Sequence, residues 1–388
     1  MGSIASPSDT PSIELLFLGT GTSSSIPHLD CLTAPANRKP CLTCLSTLTP
    51  EGKKNIRRNT SAALRISGKD GKTTTVVIDV GKNFQAAAVE WFPKYGLREI
   101  DAVIITHAHA DAMNGLDDLR GWTLGGAIQT HIDIYVSQST FREVQRSFPY
   151  LVSKEFASGG GDVPDFEWHI IEDKVPFEIK DTGVQITPFI VHHGRVFTTD
   201  PPPAFAPTPY ATQPTTPNLS GRSSPIRSLS GACCRNAPPK INPYLCFGFL
   251  IQDSIIYISD VSLIPDDTWA LLESVKRPMP VLVLDCLRLR SHTSHMGVQE
   301  AVASVRRLNP SRTYLTGFSH DISHDEYVTI GRAAGAEGPN LDTTRMSVME
   351  RRGTEMIREG KPVWIRPSHD GLRVFVSSDD SVIDETYD

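Results

Sequence analysis

The segment that most constrains this chain is an apolar run, AVIIT (102–106), that passes without a turn into THAHADAMNGLDDLR (106–120). Five β-branched or small apolar residues read as a buried strand. A buried strand that ends in His107, His109 and Asp111 delivers three ligand-type side chains to one sheet rim. Imidazoles at i and i+2 of a tight loop can converge on one ion; neutral nitrogen suits a borderline cation such as Zn²⁺, and a carboxylate adds a hard oxygen. Taken alone, the same residues also fit a polar loop with solvated histidines.

Further runs of the same kind surround it. IELLFLG (13–19), AALRI (62–66), TTVVID (74–79), IDIYV (132–136), GVQITPFIV (183–191), YLCFGFLI (244–251), SIIYIS (254–259), VLVLDC (281–286) and TYLTG (313–317) all predict strands. Helical periodicity occupies 83–95, 139–148, 297–308 and 324–335, and Arg306 and Arg307 suit the negative end of the third of these. Strands and helices interleave throughout, so the expected class is α/β. Two more strands end in ligand-type residues: FIV (189–191) meets His192 and His193, and IIYIS (255–259) meets Asp260. His193, beside Gly194, is the expected ligand and His192 the packing residue; Asp260 would bridge or close the coordination sphere. Asp79, at the end of VVID, is placed to order the histidine loop by hydrogen bonding.

Cysteines supply a second constellation. Cys31 precedes Cys41-Leu-Thr-Cys44, and a Cys-x-x-Cys turn points two thiolates at one zinc ion. Buried or free thiols remain the alternative. Seven cysteines in uneven spacing do not form a disulfide framework. With no apolar run near the roughly 20 residues of a membrane span, and no signal-like N-terminus, the expected location is cytoplasmic, with the nucleus also open. Charge excludes more: 38 Lys and Arg against 44 Asp and Glu give −6, which argues against a nucleic-acid surface.

Residues 1–12 read as a disordered tail, whose Met-Gly-x-x-x-Ser start fits the N-myristoylation pattern at Gly2. From 13 to 388 the expectation is one domain, interrupted at about 200–240 by a Pro/Ser-rich disordered insertion with ten prolines, in which SSPIRSLS (223–230) offers phosphorylation sites.

Taken together, GTGTSSSIP, VVIDVG, THAHAD with GLDDLR, the His-Gly after a strand and SDV resemble the metallo-β-lactamase-fold hydrolases, in particular the branch of the bacterial phosphonate-pathway cyclic phosphodiesterase. The match runs over most of 13–325 and fails across the Pro-rich insertion. The resemblance implies an αββα sandwich, two mixed β-sheets flanked by helices, with metals at the sheet edge. It implies His107, His109, His193 and Asp260 as ligands. The family's fourth-position histidine is here Ala112, and its late histidine aligns with Gly317 of LTGFSH. Losing both points to one tightly held catalytic ion, Zn²⁺ or alternatively Mn²⁺, with Asp111 as a base, an outer anchor or the holder of a weak second ion.

The resemblance also makes His320 the fourth ligand of a structural zinc with Cys31, Cys41 and Cys44, although the gap from Cys31 to Cys41 is wider than in that relative. It makes His295, in SHTSHMGVQEA, a phosphate contact and proton donor, with His292 a weaker second. A capping role is the plainer reading of His295. His28, His131, His169, His324 and His369 have no ligand-like context. The expected function is a metal-dependent hydrolase, a phosphodiesterase acting on a small anionic diester or cyclic phosphate. The rivals are a thioester or lactone hydrolase, a tRNA-processing nuclease and a non-catalytic metal-stabilised binding module. Sequence names neither the substrate nor the oligomeric state.

Overall fold

The computed structural model describes residues 12–68, 71–158, 162–196, 242–275, 278–335 and 341–388. The N-terminal tail with Gly2 and the Pro-rich insertion lie outside these residues, apart from Ser12.

The chain first lays down β1 (Ile13–Gly19), β2 (Ser61–Ser67), β3 (Thr73–Ile78), β4 (Ala102–Ile104), β5 (Ile132–Val136) and β6 (Phe166–Ile170) as neighbours in that order. β1–β3 are antiparallel neighbours, and β3–β6 run parallel through crossovers. A second sheet follows from β7 (Phe177–Glu178), β8 (Gln185–Val196), β9 (Asn242–Ile251), β10 (Ile255–Ile258), β11 (Val281–Asp285), β12 (Arg312–Thr316) and β13 (Ile365–Pro367), again in sequence order. The chain then returns to the first sheet, adding β14 (Arg373–Val376) against β1 and β15 (Val382–Asp384) outside it.

Both faces of the central strands are covered, which is why these segments read as continuous apolar runs and not as alternating ones. Leu15 and Phe17 of β1 face inward with Leu64, Val76, Ile104, Phe249, Tyr257, Val283 and Tyr314, the layer between the sheets. Leu16 and Leu18 face the other way and pack with Val77 and Val103 against Phe84, Ala88 and Trp91 of the helix Phe84–Tyr95. The outer face of the second sheet is covered by Val298, Val302 and Val305 of the helix Val298–Leu308. The result is the expected αββα sandwich, two mixed sheets flanked by helices. Arg306 and Arg307 do stand in the last turn of that helix, where Asn309 at φ 51° terminates it.

Two strand ends differ from the expectation. AVIIT is a regular strand only to Ile104; Ile105 and Thr106 continue through single bonds to Tyr135 and Phe247, the latter joining the two sheets beneath the histidines. β8 does not stop at Val191 but runs on to Val196, with a register shift between His192 and Arg195 where Gly194 takes φ 78°. That irregularity turns His193 inward while the strand continues.

Candidate metal centre

The histidine loop is strapped down before any ion is considered. Val80 donates its N–H to the Ala112 carbonyl and Gly115 donates to that of Val80, both at 2.8 Å. Gly81 makes this approach feasible, since a Cβ there would lie 1.9 Å from the Asp111 carbonyl oxygen. Asp79, at φ 60°, accepts the Thr106 N–H at 2.8 Å and the Thr106 hydroxyl at 2.7 Å. That hydroxyl then takes the Nδ1–H of His107 at 2.8 Å. The relay fixes the tautomer and leaves the Nε2 lone pair of His107 pointing elsewhere, as a metal-bound imidazole requires.

It points into a histidine cluster. Nitrogens of His107, His109 and His193 lie within 4.8 Å of one another, and donor atoms of His193, Asp260 and His295 satisfy the same limit. His193 belongs to both groups. Its Nδ1–H donates to the Ser294 carbonyl at 2.8 Å, again freeing Nε2. Tyr244 of β9 stacks flat on His109, with centroids 4.4 Å apart and planes 7° apart. His107 and Asp260 are buried, at 2% and 6% exposure.

These surroundings set the charges. Burial holds His107 well below the ordinary imidazole range, and neighbouring His193 and His109 push it the same way. His109 is lowered by burial and by His193. Burial would raise Asp260, but His193, His107 and His295 reverse that and bring it to about 2. Neutral imidazoles beside an ionised carboxylate form the donor set of a divalent-cation site. The residues fit such a group: His107 Nε2 is buried without a hydrogen-bond partner among the described residues.

Asp111 is not brought into either group. It sits in the turn Ala110–Met113, and its Oδ2 accepts from Ser23 Oγ at 2.7 Å. Its charge is still felt at His109 and His295.

Two contributors escaped the sequence reading. Asp285, the last residue of β11, is fully buried; its Oδ2 lies 2.9 Å from His295 Nδ1, and its Oδ1 has no partner among the described residues. Burial pulls His295 down, but Asp285, with Asp260, more than reverses this and lifts it to about 9. Asp285 also accounts for Gly317: at φ 73°, a Cβ at that position would meet Asp285 Oδ1 at 2.3 Å. The carboxylate fills the space that a side chain at 317 would take. The apolar run VLVL meets an acid just as IIYIS does, and that parallel was the available signal. Tyr244 gave no signal beyond its place in an apolar run.

The cysteine constellation assembles fully. His320 Nδ1 lies 3.3 Å from Cys31 Sγ, 3.7 Å from Cys41 Sγ and 3.5 Å from Cys44 Sγ. The wide Cys31–Cys41 gap is taken up by the helical turn Leu29–Leu32 and a loop. Burial pushes the Cys44 thiol up to about 12, so this group becomes a good thiolate only beside a cation. Arg57, buried beneath Phe318, donates to the Ser319 and Ile322 carbonyls and holds the segment that carries His320.

Other histidines are placed elsewhere. The His28 ring lies 4.0 Å from that of His320, tilted by 32°, and His292 is exposed with its Nδ1 bonded to Ser294 Oγ. His131 lies near Asp133 and Glu167, and His169 Nε2 contacts Asp133 at 2.6 Å. His324 contacts the Tyr387 hydroxyl at 3.2 Å. Among the described residues no helix is long and apolar enough to cross a membrane.

The chain belongs to the β-lactamase superfamily domain family, whose pattern matches residues 74–206 and 208–318, and it is therefore a metallo-β-lactamase-fold hydrolase. Among solved structures it is similar to a diphosphatase of the PhnP family, at 22% identity, a TM-score of 0.57 and coverage of 93% of this chain and 96% of that one. It is also similar to YhfI of Bacillus subtilis, at 13% identity, TM-score 0.51 and coverage of 94% and 99%, and to yeast PDE1, at 12%, 0.50, and 94% and 100%. At these identities the likeness is one of fold. A curated relative, the octanoyltransferase of Porphyromonas gingivalis (strain ATCC BAA-308 / W83), is 28% identical over 183 residues, 47% of this chain and 31% of that protein. The chain thus matches under a third of that relative's length.

Proposed function

We propose that this protein is a zinc-dependent phosphodiesterase for a small anionic diester or cyclic phosphate. The observation that carries the reading is the buried, unpartnered Nε2 of His107, facing His109 and His193 beside the ionised Asp260. His107, His109, His193 and Asp260 would hold one Zn²⁺, with Mn²⁺ as an alternative. Asp111 is left to anchor Ser23 or a weak second ion. Such a cation supplies Lewis acidity, lowering the pKa of water toward about 7 and drawing charge from a phosphoryl oxygen. Cys31, Cys41, Cys44 and His320 would hold a separate structural zinc.

The chain's own groups do the rest. His295, held by Asp285, offers a cationic donor at the edge of the cluster, where a phosphate oxygen gains charge and a leaving alkoxide needs a proton. Asp285 fixes the ring while burying its own charge against it. Tyr244 covers His109 and limits how the loop can move. An acyl-ester reading draws on the octanoyltransferase relative; the same site would serve a thioester or lactone.

Metal analysis and turnover of bis(p-nitrophenyl) phosphate test the proposal, beside a panel of lactones and thioesters. We expect diester hydrolysis that His107→Ala abolishes together with one metal per chain. Undiminished hydrolysis by folded, metal-stripped protein would sink it.

A further inference from the structure

A cavity of about 790 Å³ lies between the segment Arg288–Ser291 and the helix Val348–Ile357. We propose that it is a second ligand site, separate from the metal centre, for a phosphate monoester that carries an apolar group.

Charge is the first argument. Arg288, Arg290 and Arg352 line the cavity, against the carboxylates of Asp321 and Glu355. Asp321 is already engaged, accepting from Ser319 Oγ at 3.0 Å and lying 3.8 Å from Arg288 Nη1. Arg290 and Arg352 have no hydrogen-bond or ion-pair partner among the described residues, and Arg288 Nε is buried without one. Guanidinium groups gathered around one space, with donors unspent, match the oxygens of a phosphate dianion better than a single carboxylate. Glu355, one turn from Arg352 on the same helix face, opposes an anion there, so the phosphate is expected to sit toward Arg290 on the facing segment, within reach of Arg352.

Shape is the second. Leu289, Met349 and Met356 supply an apolar floor beside the arginines. Gly353 lets the helix come close to Ile330 and, beside it, Leu289, whose side chains would stand 2.4 and 3.1 Å from a Cβ there. Methionine adapts to varied apolar or aromatic shapes. The volume suits a small organic ligand and far exceeds a bare inorganic ion.

Position gives the site a consequence. Arg288 bridges to Gly297, Leu287 N–H donates to the Met296 carbonyl at 3.0 Å and His292 N–H donates to the His295 carbonyl at 2.9 Å. One arm of this loop thus lines the cavity while the other carries His295 to the metal centre.

The test is calorimetric titration of the full chain with phenyl phosphate, with phenol and inorganic phosphate as its separate halves. His193→Ala, or His109→Ala if the first variant does not fold, removes anion binding at the metal centre. We expect phenyl phosphate to bind this variant more tightly than either half does. Adding Arg290→Ala and Arg352→Ala, both at exposed positions, should weaken that binding at least tenfold with no change in melting temperature. Binding that ignores the two arginines, or that vanishes with the metal-centre variant alone, overturns the proposal. Because no activity is read, the outcome is independent of whether the phosphodiesterase assignment holds.

Discussion

His295 and Asp285 form a pair whose value depends on the leaving group. A proton donor contributes little when the departing oxygen is a weakly basic phenolate and much when it is strongly basic. His295→Ala is therefore expected to leave bis(p-nitrophenyl) phosphate hydrolysis within a few-fold of wild type. It should lower kcat by about 100-fold for a diester with a poor phenol leaving group. A series of aryl diesters checks this, and an equal loss across the series would remove His295 from the donor role. Gly317 makes a related statement about stability. Gly317→Ala adds a Cβ 2.3 Å from Asp285 Oδ1 at a backbone φ of 73°. It should cost about 1–3 kcal/mol in urea unfolding. Full stability would mean that the Asp285 carboxylate is free to move aside.

At the scale of elements, the cysteine-bearing turns of the N-terminal loop meet the body of the protein at His320, beside the contacts that Arg57 makes to Ser319 and Ile322. The turns Leu29–Leu32 and Leu42–Ser46 are too short to be stable alone. They are organised by the approach of Cys31, Cys41 and Cys44 to His320, which follows β12. Cys44→Ser should lose about one zinc per chain, as a four-ligand site requires, and lower the melting temperature. His107→Ala should lose a different equivalent and change the melting temperature less. Plasma emission analysis beside a thermal scan separates the two. Element positions were legible where periodicity was strong: β1, β5 and the helix Phe84–Tyr95 follow the sequence almost to the residue. The short strands β6, β7 and β13–β15 went unread. Their few residues, such as Phe177–Glu178, show no period and pair only because a sheet edge is already there.

Across the whole molecule, the chain crosses from one sheet to the other between β13 and β14, and His369 lies in that crossing. Its Nδ1–H donates to the Asp370 carbonyl at 3.0 Å, and its Nε2 accepts from the Thr386 hydroxyl at 2.8 Å. The Thr386 contact suits the neutral ring, whereas the bond to the carbonyl favours the charged one. Burial lowers His369 to about 4, with Lys54 and Lys94 adding to the effect and the Asp370 carbonyl and Asp384 opposing it. A histidine lowered in the folded state binds its proton more readily when unfolded, so its contribution is intact above pH ~6.5 and is lost as pH falls toward 4. Asp370, raised to about 7 by burial, works in the opposite sense over part of this window. Subtracting the curve of His369→Asn from that of wild type isolates the histidine. The wild type should show the steeper loss of stability on acidification, by about one proton. Parallel curves would mean that the ring titrates normally in the fold.

The sequence by itself determined the α/β class, the run of core strands and which strand ends carry ligand-type side chains. Each of those is written in local pattern: branched apolar runs, helical spacing, and histidine, cysteine or aspartate at a strand's end. Tertiary structure alone decided which atoms meet. His193 turns inward because of an irregularity inside β8, Asp111 turns to Ser23 instead of joining the histidines, and Asp285 reaches His295 across a space kept open by Gly317. Those outcomes depend on distances between segments far apart in the chain, and one-dimensional spacing does not contain them.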